Sequence, residues 1–154
     1  MFGEQRDEET NKYYGYKFSG DIDGSDNWDY ICSVDPEGSQ DASTNYPMFN
    51  FANNYGTTAG LTGSDYENGW YVPSAKELFD IYENKTVIQS SLNIVQGFSF
   101  KDVSYWCSSQ SASYNDNAYR VDFYDGGVDD YGKVSSSNVF VLKAFNPELF
   151  NNYE

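Results

Sequence analysis

The stretch Gly69-Trp70-Tyr71-Val72-Pro73-Ser74-Ala75-Lys76-Glu77-Leu78-Phe79-Asp80-Ile81-Tyr82 leaves the chain few choices. Pro73 ends an extended entry, and Ser74 followed three residues later by Glu77 is the pattern of a capping box. In that motif the hydroxyl and the carboxylate each satisfy a backbone donor orphaned at a helix start. Beyond the cap, Ala75, Leu78, Phe79 and Tyr82 fall at i, i+3, i+4 and i+7, one apolar stripe, while Lys76, Asp80 and Glu83 point elsewhere. A stripe this short is not stable alone. The spacing therefore predicts a helix buried along one side against the aromatic, strand-like segments that flank it.

At 154 residues the chain is long enough for one core. It reads as a single domain over 13–146, with polar tails at 1–12 and 147–154. Nine Lys plus Arg stand against 24 Asp plus Glu, a net charge of -15 that repels nucleic acid and anionic membrane surfaces. Eleven Phe, 15 Tyr and three Trp supply enough buriable surface to fold despite that charge. No apolar run approaches the ~18 residues of a membrane span. The start of the chain, Met1 to Tyr14, is too polar for a signal peptide. A monomer is expected. Cys32 and Cys107 leave open one bridge or two buried or half-buried thiols.

Taken in order, Tyr13 to Phe18 could be an edge strand. In Gly20-Asp21-Ile22-Asp23-Gly24-Ser25-Asp26-Asn27, the carboxylates of Asp21, Asp23 and Asp26 surround a glycine. The stretch resembles the first half of a calcium loop, although no glutamate closes the ring in register. An Asx-rich turn that caps backbone donors accounts for the same residues. Trp28 to Val34 reads as a short strand ending at the turn Asp35-Pro36-Glu37-Gly38, and Gly38 to Asn45 as a polar loop. Pro47 opens a helix through Phe49, Phe51, Ala52 and Tyr55 that Gly56 would stop. Thr57 to Asn68 is again loop. A second helix carries Val87, Ile88, Leu92 and Val95 on one face and ends at Gly97. Strands follow at Val103 to Ser108, Ala118 to Tyr124, Gly127 to Tyr131 and Val139 to Phe145, with Asp125-Gly126 as a hairpin turn. The class is α+β, two or three short helices on small antiparallel sheets with long irregular loops.

The carboxyl third is rich in Ser, Tyr, Asp and Asn and poor in residues that build a core. Along Ala118 to Tyr124, Tyr119, Val121 and Phe123 share one parity, leaving Arg120, Asp122 and Tyr124 to look outward. Tyrosine among small polar residues is the composition of antibody-type binding loops, where the ring gives contact area at low entropic cost. Solvated loops rarely carry so many tyrosines, so a binding surface is the favoured reading.

Four ordered motifs resemble a bacterial family: Gly69-Trp70-Tyr71-Val72-Pro73-Ser74 with Glu77-Leu78, then Tyr105-Trp106-Cys107-Ser108-Ser109, then Ala118-Tyr119 with Val121, Phe123, Gly126 and Val128, and finally Val141-Leu142-Lys143-Ala144-Phe145. These are similar to domains related to the carboxyl-terminal domain of the Legionella collagen-like protein, which have the C-type lectin fold of the formylglycine-generating-enzyme type. Asn53 to Leu61 and Asp23 to Trp28 look most like a spirochaete (Treponema) branch of exported or surface lipoproteins. That likeness implies an exported or cell-surface protein whose leader is absent from this sequence. Some proteins of this fold are variable targets of diversity-generating retroelements, in which adenine-directed mutagenesis rewrites codons near the carboxyl end. The resemblance implies that Tyr105 to Phe145 is the rewritten stretch, with Trp106, Val121, Phe123, Gly126, Val128, Val141 and Phe145 as framework. Tyr114, Asn115, Asn117, Arg120, Asp122, Tyr124, Asp125, Asp129, Asp130, Tyr131 and Ser135 to Asn138 would be the diversified positions. Trp106 and those from Tyr114 to Tyr131 form the candidate ligand-binding set, with Tyr114, Tyr124 and Tyr131 as candidate anchors and Arg120 as a counter-charge. Cys107 stands where the family usually has Ser, and Lys143 where it has Arg.

Catalysis is disfavoured. The chain has no His, which removes the commonest general base and the usual zinc ligand sets. Asp129-Asp130 could serve a carboxylate-based hydrolase, but adjacent acids on a hairpin are more often solvated. The leading reading is a recognition module for a protein or glycan, with Asp125, Asp129 and Asp130 favouring a basic partner. The alternative is a calcium-stabilised structural or adhesion domain held by Asp21, Asp23 and Asp26. Calcium is the only cofactor that either reading admits.

Overall fold

The computed structural model describes residues 3–6, 13–18, 20–95 and 97–144. The class is mixed α+β, and the chain groups into two compact units, residues 1–24 with 73–138 and residues 25–72 with 139–154.

In the first unit, strand β1 (Gly3–Arg6) runs antiparallel to β2 (Tyr13–Lys17), so part of the stretch expected as a tail is paired backbone. The capped helix is α5 (Ala75–Glu83), and both halves of its box are made. The Glu77 amide donates to Ser74 Oγ at 3.3 Å, and the Ser74 amide donates to Glu77 Oε2 at 2.8 Å. The same Oε2 accepts from the Gly24 amide at 2.8 Å. Ala75, Leu78 and Phe79 are buried, as their spacing requires. Helix α6 (Lys85–Ile94) follows, but none of its residues is buried. Val87 is 70% and Val95 71% exposed, so of the apolar face expected there only the Ile88 and Leu92 side is half-covered.

The main sheet of this unit is antiparallel, with β5 (Asn117–Asp122) between β4 (Ser104–Gln110) and β6 (Val128–Gly132). On the other side of β4 the last residue of this unit, Asn138, begins the short strand β7 (Asn138–Val139). Trp106 pairs with Arg120 and Gln110 with Ala118, so Cys107, Ser108 and Ser109 oppose the single residue Tyr119. That bulge is where the helix docks. The Ser108 amide donates to the Pro73 carbonyl at 2.8 Å, and Ser109 Oγ accepts from the Ala75 amide at 2.9 Å, one of the donors orphaned at the start of α5. The hairpin loop between β5 and β6 is longer than the two-residue turn expected. Phe123 to Gly127 form it, with Gly126 at φ +82°.

The second unit holds α1 (Asn27–Val34), a 3-10 turn at Gly38–Asp41, α2 (Ala42–Asn45), α3 (Pro47–Asn53), α4 (Tyr55–Thr58), and β3 (Trp70–Tyr71) antiparallel to β8 (Leu142–Lys143). Two expectations fail here. Trp28 to Val34 is helix rather than strand, because Trp28 and Ile31, three apart, pack on the cluster of Phe49, Ala52 and Val72. Tyr30, which strand alternation would set on the same face as Trp28, is left 66% exposed. Gly56 does not stop the Pro47 helix but lies inside α4, where a Cβ would collide with the carbonyl of Glu67. Trp28 stacks on Phe49 at 5.5 Å, and Tyr46 donates to Asp35 Oδ2 at 2.6 Å. That bond, with a second from the Gly38 amide, holds the Asp35 carboxyl below its usual range. Val141 packs against this cluster, while Phe145 and 147–154 lie outside the described residues.

Both cysteines are free thiols. Cys107 is fully buried, which pushes its thiol up to about 12, and its Sγ lies 3.0 Å from the Tyr119 carbonyl. Cys32 is half-buried in α1. The thiolate is the nucleophile, and burial disfavours it at Cys107. A maleimide should therefore label Cys32 in the native protein and reach Cys107 only on unfolding, as read by intact mass. Equal labelling rates would contradict the burial of Cys107.

Candidate functional site

The register of the main sheet decides which of the expected residues meet. Directly paired residues share a face, so Trp106, Arg120 and Asp129 form one row across β4, β5 and β6. Gln110, Ala118 and Tyr131 form the next row, and Ser104 with Asp122 lies on the other side of the first. Arg120, Asp122, Asp129 and Tyr131 are thus brought onto one face. Arg120 makes a two-pronged pair with Asp129, Nε to Oδ1 at 3.1 Å and Nη2 to Oδ2 at 3.0 Å, and its guanidinium lies 4.0 Å from the centroid of the Tyr131 ring. The carboxylate holds the Arg120 guanidinium above its ordinary pKa. Tyr131 remains 46% exposed.

The loops at the two ends of β5 carry two further exposed tyrosines. Tyr124 is 77% exposed on the loop after β5, beyond the strand that its parity suggested. Tyr114 is 60% exposed on the loop before it, beside the exposed Asn115. Six residues of strand separate those loops, roughly 20 Å at the usual rise. A separation of that order suits a macromolecular surface better than a small molecule.

Other expected members play different parts. Trp106 is only 7% exposed, so it offers little contact surface. Asp130 pairs with Tyr119 on the opposite face, where it accepts from the buried Ser111 hydroxyl. Asp122 accepts from Ser104 Oγ and from the Tyr124 amide, both at 2.8 Å, and Asp125 accepts from the Gly127 amide at 2.9 Å. These carboxylates shape turns before they can attract anything. Asn117 is half-buried at the start of β5. In 135–138, Ser136 and Asn138 are exposed, while Ser137 Oγ donates to the Ser104 carbonyl at 2.6 Å.

The calcium loop is not formed. Among the described residues, no three His, Cys, Asp or Glu are grouped so as to hold a metal ion. Asp21 Oδ1 instead accepts the Asp23 amide at 3.2 Å, an Asx turn, and Asp26 sits at the start of α1. No described helix is long and apolar enough to cross a membrane.

Sequence reasoning passed over Gln110, Ser111 and Lys133, which hold the Tyr114 loop. Gln110 Nε2 lies 2.7 Å from the Asn117 carbonyl and 3.0 Å from that of Tyr114. Lys133 Nζ lies 2.8 Å from the Asn115 carbonyl and also bonds Gln110 Oε1. Gln110 and Ser111 stand at the end of β4 and Lys133 just past the end of β6, so only cross-strand register brings them together. Comparison of the chain with family models, with curated proteins and with solved structures finds no match to any of the three.

Proposed function

We propose that the chain is a recognition module, exported or at the cell surface, that displays the face of β5 and β6 and its two end loops to a protein or glycan. The observation that supports it is the placing of Arg120, Asp129 and Tyr131 on one face, with Tyr114 and Tyr124 exposed on the loops that flank β5. Three exposed tyrosines spread over roughly 20 Å suit a broad partner surface, because each ring adds area with two rotatable angles to fix. The Arg120–Asp129 pair and the turn-bound carboxylates leave the tyrosines as the main contacts. Any preference for a basic partner comes from the wider charge of -15 and should fade with salt. Recognition also needs no proton shuttle, in keeping with a chain that has no His.

On this proposal the domain is a C-type-lectin-like fold of the formylglycine-generating-enzyme type. Its carboxyl third would be the variable region of a diversity-generating retroelement. Two experiments bear on it. Sibling genes should differ mainly at 114, 115, 120, 122, 124, 129 and 131. Substitutions spread evenly along 20–144 would remove the variable-region reading. On a protein and glycan array, the Tyr124→Ala/Tyr131→Ala double variant should lose at least about tenfold of any binding while its melting point stays within about 2 °C, since both side chains are exposed. Undiminished binding would place recognition elsewhere.

A further inference from the structure

The loop 112–116, which carries Tyr114, is bonded through its main chain and not through its side chains. Gln110 reaches the carbonyls of Tyr114 and Asn117, and these two short contacts use both protons of its amide nitrogen. Ser111 Oγ accepts from the amides of Ser113 at 3.2 Å and Tyr114 at 3.1 Å while donating to Asp130. The Lys133 ammonium takes the Asn115 carbonyl, its own amide takes the Asp116 carbonyl at 2.9 Å, and its Nζ ties back to Gln110. Partial desolvation of the ammonium holds the Lys133 pKa below its usual value, against the pull of Asp116. Among the described residues, no hydrogen bond of this loop runs through a side chain of 112–116.

We infer that Gln110, Ser111, Asp130 and Lys133 form a clamp that fixes the backbone of 112–116 whatever side chains it carries, making 114 and 115 positions where specificity can be rewritten without refolding the loop. The inference rests on the recognition reading for its purpose, and on the hydrogen bonds alone for its mechanics. A loop ordered by its own side chains would change shape with each substitution. One ordered from outside, through groups every residue but proline possesses, presents each new side chain from the same place and loses little entropy on binding. Gln110, Ser111, Asp130 and Lys133 are positioning residues in this scheme, and Asp130 belongs to the clamp and not to the contact surface.

Amide hydrogen exchange on the free full chain tests the clamp. Lys133→Met and Gln110→Leu, both at exposed positions, should speed exchange at Tyr114, Asn117 and Lys133 or its replacement by at least about tenfold and leave Val121 and Phe123 unchanged. Tyr114→Ser and Asn115→Ala should change the loop amides by less than about twofold. The clamp is refuted if loop substitutions loosen the loop as much as clamp substitutions do, if clamp substitutions leave its exchange unaltered, or if they speed core amides equally. No ligand is needed, so a protein that binds nothing at this face can still possess the clamp, and a binder can lack it.

Discussion

Phe123→Ala should lower the stability of the protein by about 3–5 kcal/mol, which for a chain of this size is a fall of roughly 10–15 °C in Tm. The residue is fully buried although it stands just past the end of β5, in the loop. Its ring meets Tyr105 at 4.8 Å, Phe100 at 5.5 Å and Tyr82 at 5.7 Å, all in tilted or edge-on arrangements that favour aromatic pairs. These partners come from β4, from the segment before it and from α5, so one side chain ties the capped helix to the sheet. The main chain is fixed as well, with the Phe123 amide donating to the Val103 carbonyl at 3.1 Å and its own carbonyl accepting from Lys85 Nζ. Backbone anchoring prevents the loop from collapsing into the space the ring vacates, which places the loss in the upper part of the range for aromatic truncation. Phe123→Leu should recover more than half of it. Urea unfolding followed by tyrosine fluorescence and near-UV dichroism measures both variants, and a loss under about 1 kcal/mol for Phe123→Ala would show that the ring does not hold this core together.

What the sequence disclosed and what it hid divide along one physical line. The α5 cap was legible because Ser74 and Glu77 interact within one turn, and the stripe Ala75, Leu78, Phe79 is buried as its period demands. That Arg120 and Asp122 share a face was legible because alternation belongs to the strand itself. Trp28 to Val34 was misread because seven residues satisfy either period, and only the distant cluster of Phe49, Ala52 and Val72 selects the helix. Of the two readings of Asp21, Asp23 and Asp26, the Asx turn is the one whose hydrogen bond is made, for a related reason. A run of aspartates satisfies backbone donors as readily as a cation, and Asp21 took the amide of Asp23. Nothing local could show that Trp106 would be buried, that Asp130 would turn to Ser111, or that a three-residue bulge at 107–109 would receive the helix end. Those follow from cross-strand register, which shifts every later neighbour when a bulge is inserted.

Gly126→Ala should cost about 2–4 kcal/mol, more than most substitutions at a loop glycine. Two independent terms act at this position. Its φ of +82° lies in the left-handed region, where a Cβ costs on the order of 1 kcal/mol. The added Cβ would also lie 2.7 Å from Tyr82 Cζ, so the ring of α5 would have to move. Tyr82 cannot move freely, because it packs on Phe79 at 5.9 Å and on Phe123 at 5.7 Å. Displacing it strains the same aromatic group that Phe123 centres, and overpacking of this kind costs roughly 1–3 kcal/mol. The two terms can be separated. Gly20 also has a positive φ, +97°, but a Cβ there meets nothing within 4 Å, so Gly20→Ala should show the backbone term alone, at about 1 kcal/mol. Tyr82→Leu combined with Gly126→Ala should cost less than the sum of the single changes, because removing the ring opens the space that the methyl needs. Additive losses in that cycle, read by urea unfolding of the four proteins, would mean that the glycine answers only to its backbone angle. Coupling of about 1 kcal/mol or more would show that the turn presenting Tyr124 is held in place by the capped helix beneath it.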